Sequence, residues 1–205
     1  MNKNDFLKHI AETGYNVGFG AKKHFATYDI VEKIPGIISF LSMAIGIFAL
    51  VISELSSEYI AASLIIFGII GLYISFYNTQ KNKYAKSGEE LTKLFNDLKV
   101  IYLRVKNTPD DSDISIFIEE FNQVETRYYD KCISKQIIFS DWYAHYKFFW
   151  QHQIEWIDEQ KNFRFFRDKI PLSFSIFLIL LFITVTFNFY DLTRIACELI
   201  VEVKS

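Results

Sequence analysis

Apolar residues crowd into three stretches that carry no charge. There are 20 residues between Lys33 and Glu54, 22 between Glu58 and Lys81, and 21 between Lys169 and Asp191. At about 1.5 Å per helical residue, each run can cross a hydrocarbon core of roughly 30 Å. The pattern predicts membrane spans at Pro35–Ser53, Ile60–Tyr77 and Pro171–Tyr190. Only ELSSEY joins the first two, which makes them a tight antiparallel hairpin. Both Pro35 and Pro171 stand at the start of their runs, where a helix loses nothing by lacking an N–H.

Outside these runs the apolar positions recur at helical spacing. Residues 4–13 and 21–34 read as two helices parted by an elbow at Gly14, Gly18 and Gly20. Ser87 and Glu90 have the spacing of a capping box. Leu91, Leu94, Phe95, Leu98, Ile101, Tyr102 and Val105 then form one stripe. The NTPDDSD segment is a turn, Asp113 is placed to cap the next helix, and Ile114, Phe117, Ile118, Phe121 and Val124 form one face of it. A long aromatic-rich helix is expected from Ser134 to Asp168. On it Trp142, Phe149, Trp156 and Phe163 stand seven apart, a spacing suited to packing within the bundle or between protomers rather than to stacking a base.

The expected fold is an all-α membrane protein. It comprises N-terminal cytoplasmic or interfacial helices (1–34), a two-span transmembrane hairpin (35–77) and a cytoplasmic helical region (78–170). A third, C-terminal transmembrane helix (171–190) and an external tail (191–205) complete it. Composition agrees, since 51% of residues are hydrophobic and all eight glycines fall at or before Gly88. The first flank carries Lys22, Lys23 and Lys33, the second Lys81, Lys83 and Lys86, and the third Lys161, Arg164, Arg167 and Lys169. The hairpin loop has no basic residue. By the positive-inside rule the N-terminus and residues 78–170 are cytoplasmic, and the loop and C-terminus are external.

A net charge of −2 gives no clustered basic surface, so direct nucleic-acid binding is not expected. Cys132 and Cys197 form no disulfide or zinc pattern, and no histidine pair has the spacing for a shared metal on one helix. GYNVGFGAKKH at 14–24 has the glycines and lysine of a phosphate loop but lacks its Gly-Lys-Ser/Thr ending. Lipid phosphate contact by Lys22 and Lys23 is the role left to it. No catalytic motif, metal site or cofactor site is read, and no enzyme is expected. The hairpin instead carries small residues at regular intervals: Ser39, Ser42, Gly46, Ala49 and Ser53, then Gly68, Gly71 and Ser75. Such stripes let helices approach closely, either gluing the hairpin or lining an oligomeric pore.

The lead-in AKKHFATYDIVEKIPG, the hairpin after it, and the helix beginning NKYAKSGEELTKLFNDL together resemble the SLATT family, the SMODS- and SLOG-associating two-transmembrane effector domains. That resemblance implies a pore-forming effector of bacterial anti-phage or conflict systems, acting through abortive infection. It would oligomerise and permeabilise the inner membrane when a nucleotide second messenger or a neighbouring sensor or reverse-transcriptase protein signals. The alternative is a non-conducting membrane anchor or scaffold that recruits a cytosolic partner. The third span is a departure from the two that the family's name describes.

Overall fold

The computed structural model describes the backbone of residues 2–110 and 112–202, with side chains as far as Phe187. The chain divides into two units, residues 1–162 and 163–205. Among the described residues all regular structure is helical.

The first unit is built on α1, a single helix over Lys3–Ala49. Asn2 caps it by accepting the Asp5 N–H at 2.8 Å. Through residue 31 it buries Phe6, Leu7, Ile10, Ala11, Val17, Ala21, Ala26 and Val31, which is one helical stripe. Facing it is α3 (Lys81–Asn107), whose predicted stripe from Leu91 to Val105 is buried throughout. Helix α4 (Ser115–Lys131) adds Phe121 and Val124, α5 (Ser140–Gln151) adds Ala144 and Phe148, and α6 (Glu155–Lys161) adds Trp156 and Ile157. Burying each large apolar side chain contributes roughly 1.5–3 kcal/mol, so this shared core decides the bundle's geometry.

Beyond residue 36 the character of α1 inverts. Ile37, Phe40, Met43, Ile47 and Phe48 are all at least half exposed. A short 3-10 turn at Ser53–Ser56 leads into α2 (Glu58–Ser75), which buries only Ile74. Both apolar runs are long enough to cross a membrane, and almost none of either is covered by protein. A surface this apolar is incompatible with water but suits hydrocarbon.

The second unit holds α7 (Phe165–Asp168) and α8 (Leu172–Glu202). Residues Leu172–Phe187 of α8 are apolar. The end of the expected third span (188–190) and the tail (191–205) lie outside the residues whose side chains are described.

Four local expectations are corrected. The glycines at 14, 18 and 20 make no elbow, and residues 3–34 are bundle core rather than separate interfacial helices. Gly14 lies under the Trp156 ring, where a Cβ would overlap it, and a Cβ on Gly18 would fall 2.7 Å from Phe95 and 2.9 Å from Phe148. These glycines admit aromatic rings to the helix surface. Pro35 is inside α1, not at its start. An interior proline costs about 3 kcal/mol, which the burial on its N-terminal side outweighs. Ser87 is mid-helix, because α3 begins at Lys81 and buries Tyr84 one turn before it and Gly88 just after it. The long aromatic helix is broken into α5, α6 and α7, with Asn162 in the left-handed region (φ 50°) ending α6. No glycine or proline causes these breaks. The need to turn Ile154, Trp156 and Ile157 inward does so.

Candidate functional site

The junction between the exposed hairpin and the buried bundle is crossed by an extended strap, residues 132–137, between α4 and α5. Because a strap has no internal ladder, its backbone groups must find partners elsewhere. It finds them on α1, on α3 and at Tyr77. His24 Nδ1 donates to Gly20 O at 2.7 Å, which leaves Nε2 to accept the Ile133 N–H at 3.0 Å. The Thr27 hydroxyl donates to Gln136 Oε1 at 2.5 Å, and Gln136 Nε2 returns to Ile133 O at 2.7 Å. The Tyr84 hydroxyl donates to Lys135 O at 2.6 Å. Tyr77, just past α2, adds a longer bond to Gln136 O at 3.4 Å.

Beneath these bonds, Val31, Ile74, Tyr77, Tyr84 and Ile137 form one apolar cluster. It therefore joins α1, both ends of the α2–α3 connection, and the strap. Lys81 pairs with Glu32 at 2.5 Å across the same joint. On the other side of α1, Asp29 is held by Lys33 at 2.8 Å and by Lys147 of α5. Burial pushes the Asp29 carboxyl up, but hydrogen bonds from both lysines overcome this and hold it below the usual carboxylate range. Burial lowers the pKa of His24, which keeps the neutral imidazole that the Ile133 bond needs.

The far end of the bundle is locked independently. Glu159 accepts from Tyr102 at 2.9 Å and Lys106 at 2.7 Å, and Lys3 reaches Thr108 O at 2.5 Å. A polar cleft of about 300 Å³ lies between α3 and α4, lined by Glu90, Lys93, Leu94, Arg127 and Lys131. No cluster of metal-ligating residues occurs among the described residues.

The small-residue stripes do not meet inside the hairpin at their glycines. A Cβ built on Gly46, Gly68 or Gly71 encounters nothing within 4 Å. Ser39, Ser53 and Ser75 are exposed, while Ser42 and Ala49 are half-buried. Ser39 and Ser75 donate to their own helix at Pro35 O (2.9 Å) and Leu72 O (2.7 Å). Of the aromatic seam, Trp142 and Phe149 lie on α5 and Trp156 on α6, whereas Phe163 falls in the second unit. The structure therefore does not place the four on one helix. Trp156 is core, with its ring centroid 5.4 Å from Phe95 and 5.2 Å from Tyr102. His24, Thr27 and Tyr84, which hold the strap, and Gln136 within it carry no local sequence signal, since these bonds span 51 to 109 positions.

Residues 1–178 match a family model described as SMODS and SLOG-associating 2TM effector domain 6. No curated protein and no solved structure matches the chain.

Proposed function

The chain belongs to the SMODS and SLOG-associating two-transmembrane effector family, and from that premise we propose that it permeabilises a membrane by assembling through its hairpin. One observation carries this reading: a nearly naked apolar hairpin grows from the same helix that forms the bundle core, and a hydrogen-bonded strap ties the two together. A signal altering the bundle is thereby conveyed to the spans without a flexible joint.

In this reading the membrane is the bacterial inner membrane, with the N-terminus and bundle cytoplasmic and the C-terminus external, as the basic flanks favour. The stripe at Ser39, Ser42, Gly46, Gly68 and Gly71, whose glycines have open space before them, supplies the contact between copies, because small residues let helices approach in lipid. The trigger is a nucleotide second messenger or a partner protein acting on the bundle, and the chain works without catalysing a reaction. Anti-phage defence by abortive infection is the setting the family membership supports.

Induced expression with membrane-potential and dye-uptake readouts tests the proposal. Depolarisation is expected, altered by Gly46→Leu and Gly71→Leu. Leakage unchanged by both substitutions removes the seam. An intact potential under triggering conditions instead favours an anchor that recruits a cytosolic partner.

A further inference from the structure

Where the strap turns into α5, the chain exposes apolar side chains on the bundle. Ile138 is 59% exposed and Phe139 60%. Phe139 also holds a left-handed backbone (φ 67°), a conformation that bulky residues rarely adopt and that marks a functional constraint. It directs a phenyl ring outward where a glycine or asparagine would serve the turn.

The depth of this loop is fixed by its neighbours. Ile137 packs with Ile74 and Tyr77, and the Ile138 N–H lies 3.4 Å from the Tyr73 hydroxyl. Tyr73 is inside the second charge-free run, so the loop stands level with the last turn of a membrane-crossing helix. Between the loop and α1 is a groove of about 440 Å³, whose apolar walls include Ile30, Ile34, Ile37, Phe139 and Trp142. Its volume falls in the range of about 300–1,000 Å³ typical of ligand pockets. Ile37 belongs to the first charge-free run, which makes the groove continuous with the hairpin's lipid-facing surface. The charged residues of its lining are Asp29 and Lys33, which pair with each other at 2.8 Å and leave the groove without net charge, as an acyl chain requires.

We propose that the side chains of Ile138, Phe139 and Trp142 enter the bilayer leaflet nearest the bundle and seat a phospholipid acyl chain in the groove against α1, while Asp141 stays paired with Lys23 at 2.7 Å. The loop is then a third membrane contact, additional to the two spans, and it rests on the membrane reading given above. Trp142 at such a level has the apolar body and polar N–H that the interface favours, and Phe139 adds apolar surface beside it.

The chain's three tryptophans give a direct test. The full chain is reconstituted in vesicles of phosphatidylethanolamine and phosphatidylglycerol containing acyl-brominated phosphatidylcholine. Trp150→Phe/Trp156→Phe leaves Trp142 as the reporter. The positive control is Phe40→Trp in a chain whose three native tryptophans are replaced by Phe, since Phe40 is an exposed hairpin residue. Trp142 fluorescence is expected to fall at least about twofold, most with bromines near the headgroup, as an interfacial aromatic requires. If the core substitution at Trp156 prevents folding, the wild-type chain minus Trp142→Phe yields the same signal by difference. An unquenched Trp142 beside a quenched Phe40→Trp reporter overturns the loop proposal. If neither reporter is quenched, the membrane reading itself falls.

Discussion

Cutting the bond between Thr27 and Gln136 loosens the strap's hold on the bundle with the least disturbance elsewhere. Thr27 is fully buried, and its hydroxyl donates to Gln136 Oε1 at 2.5 Å. Gln136→Ala removes that acceptor and the 2.7 Å bond to Ile133 O. A lost hydrogen bond costs about 0.5–1.5 kcal/mol and a stranded buried hydroxyl about 1–3, so the variant loses roughly 2–4 kcal/mol. Against a total stability of about 5–15 kcal/mol this is a large fraction. Thr27→Val alone costs about 1 kcal/mol, because the part-buried amide oxygen can recruit water. Thr27→Val with Gln136→Ala replaces both partners by apolar groups and costs less than the two single changes added together. Denaturant unfolding in detergent, followed by helical circular dichroism, gives the cycle, and a coupling of about 1–2 kcal/mol is expected. Hydrogen exchange of residues 132–138 should accelerate in Gln136→Ala. Additivity within about 0.3–0.5 kcal/mol refutes the strap as a mechanical tie.

Two further outcomes follow from the same packing. Gly18→Ala places a Cβ 2.7 Å from Phe95. It should destabilise by about 1–3 kcal/mol, less up to about 1 kcal/mol of helix propensity. Gly20→Ala, whose nearest neighbour would be Leu91 at 3.7 Å, should instead stabilise, and thermal melts of the pair compare the signs. Acidification tests the buried imidazoles. Burial, then Lys22 and Lys99, push His152 down to about 4, and burial also lowers His24. The unfolded chain therefore takes up protons first, near the ordinary histidine value of 6.5, while the folded chain resists. Stability should be flat above that pH and fall as pH drops from 6.5 toward about 4. His152→Phe should flatten the decline, and an unchanged melting profile in that variant contradicts the assignment.

What the sequence revealed was whatever depends on neighbours within a few turns. The α3 stripe from Leu91 to Val105, the Phe121 and Val124 face of α4, and two apolar runs long enough to cross a membrane were all legible from spacing. Asp113 was legible too, although it accepts the Ser115 N–H from one position outside the cap residue Ile114. The misreadings share one cause. Gly14, Gly18 and Gly20 resemble hinge glycines until Phe95, Phe148 and Trp156, distant in sequence, press against the first two. Likewise the 134–168 segment has no local breaker, and tertiary burial of Ile154, Trp156 and Ile157 bends it. The strap was invisible because a glutamine and a threonine 109 positions apart leave no periodicity.

That separation has a consequence for how each copy comes into being. A ribosome adding about 5–20 residues per second needs roughly 5–20 s to travel from Thr27 to Gln136. By then both hairpin runs have already been synthesised, since they end before Lys81. Every nascent chain thus delivers its spans to the bilayer unlatched, with the Phe6–Val31 face of α1 still awaiting the full set of helices that will cover it. The bonds from Thr27, Tyr77 and Tyr84 to the strap form only when the latter half emerges. A product cut before residue 132 would keep both apolar runs but lack the strap, α5 and α6, so it would carry the hairpin without the tie through which the proposed signal reaches it.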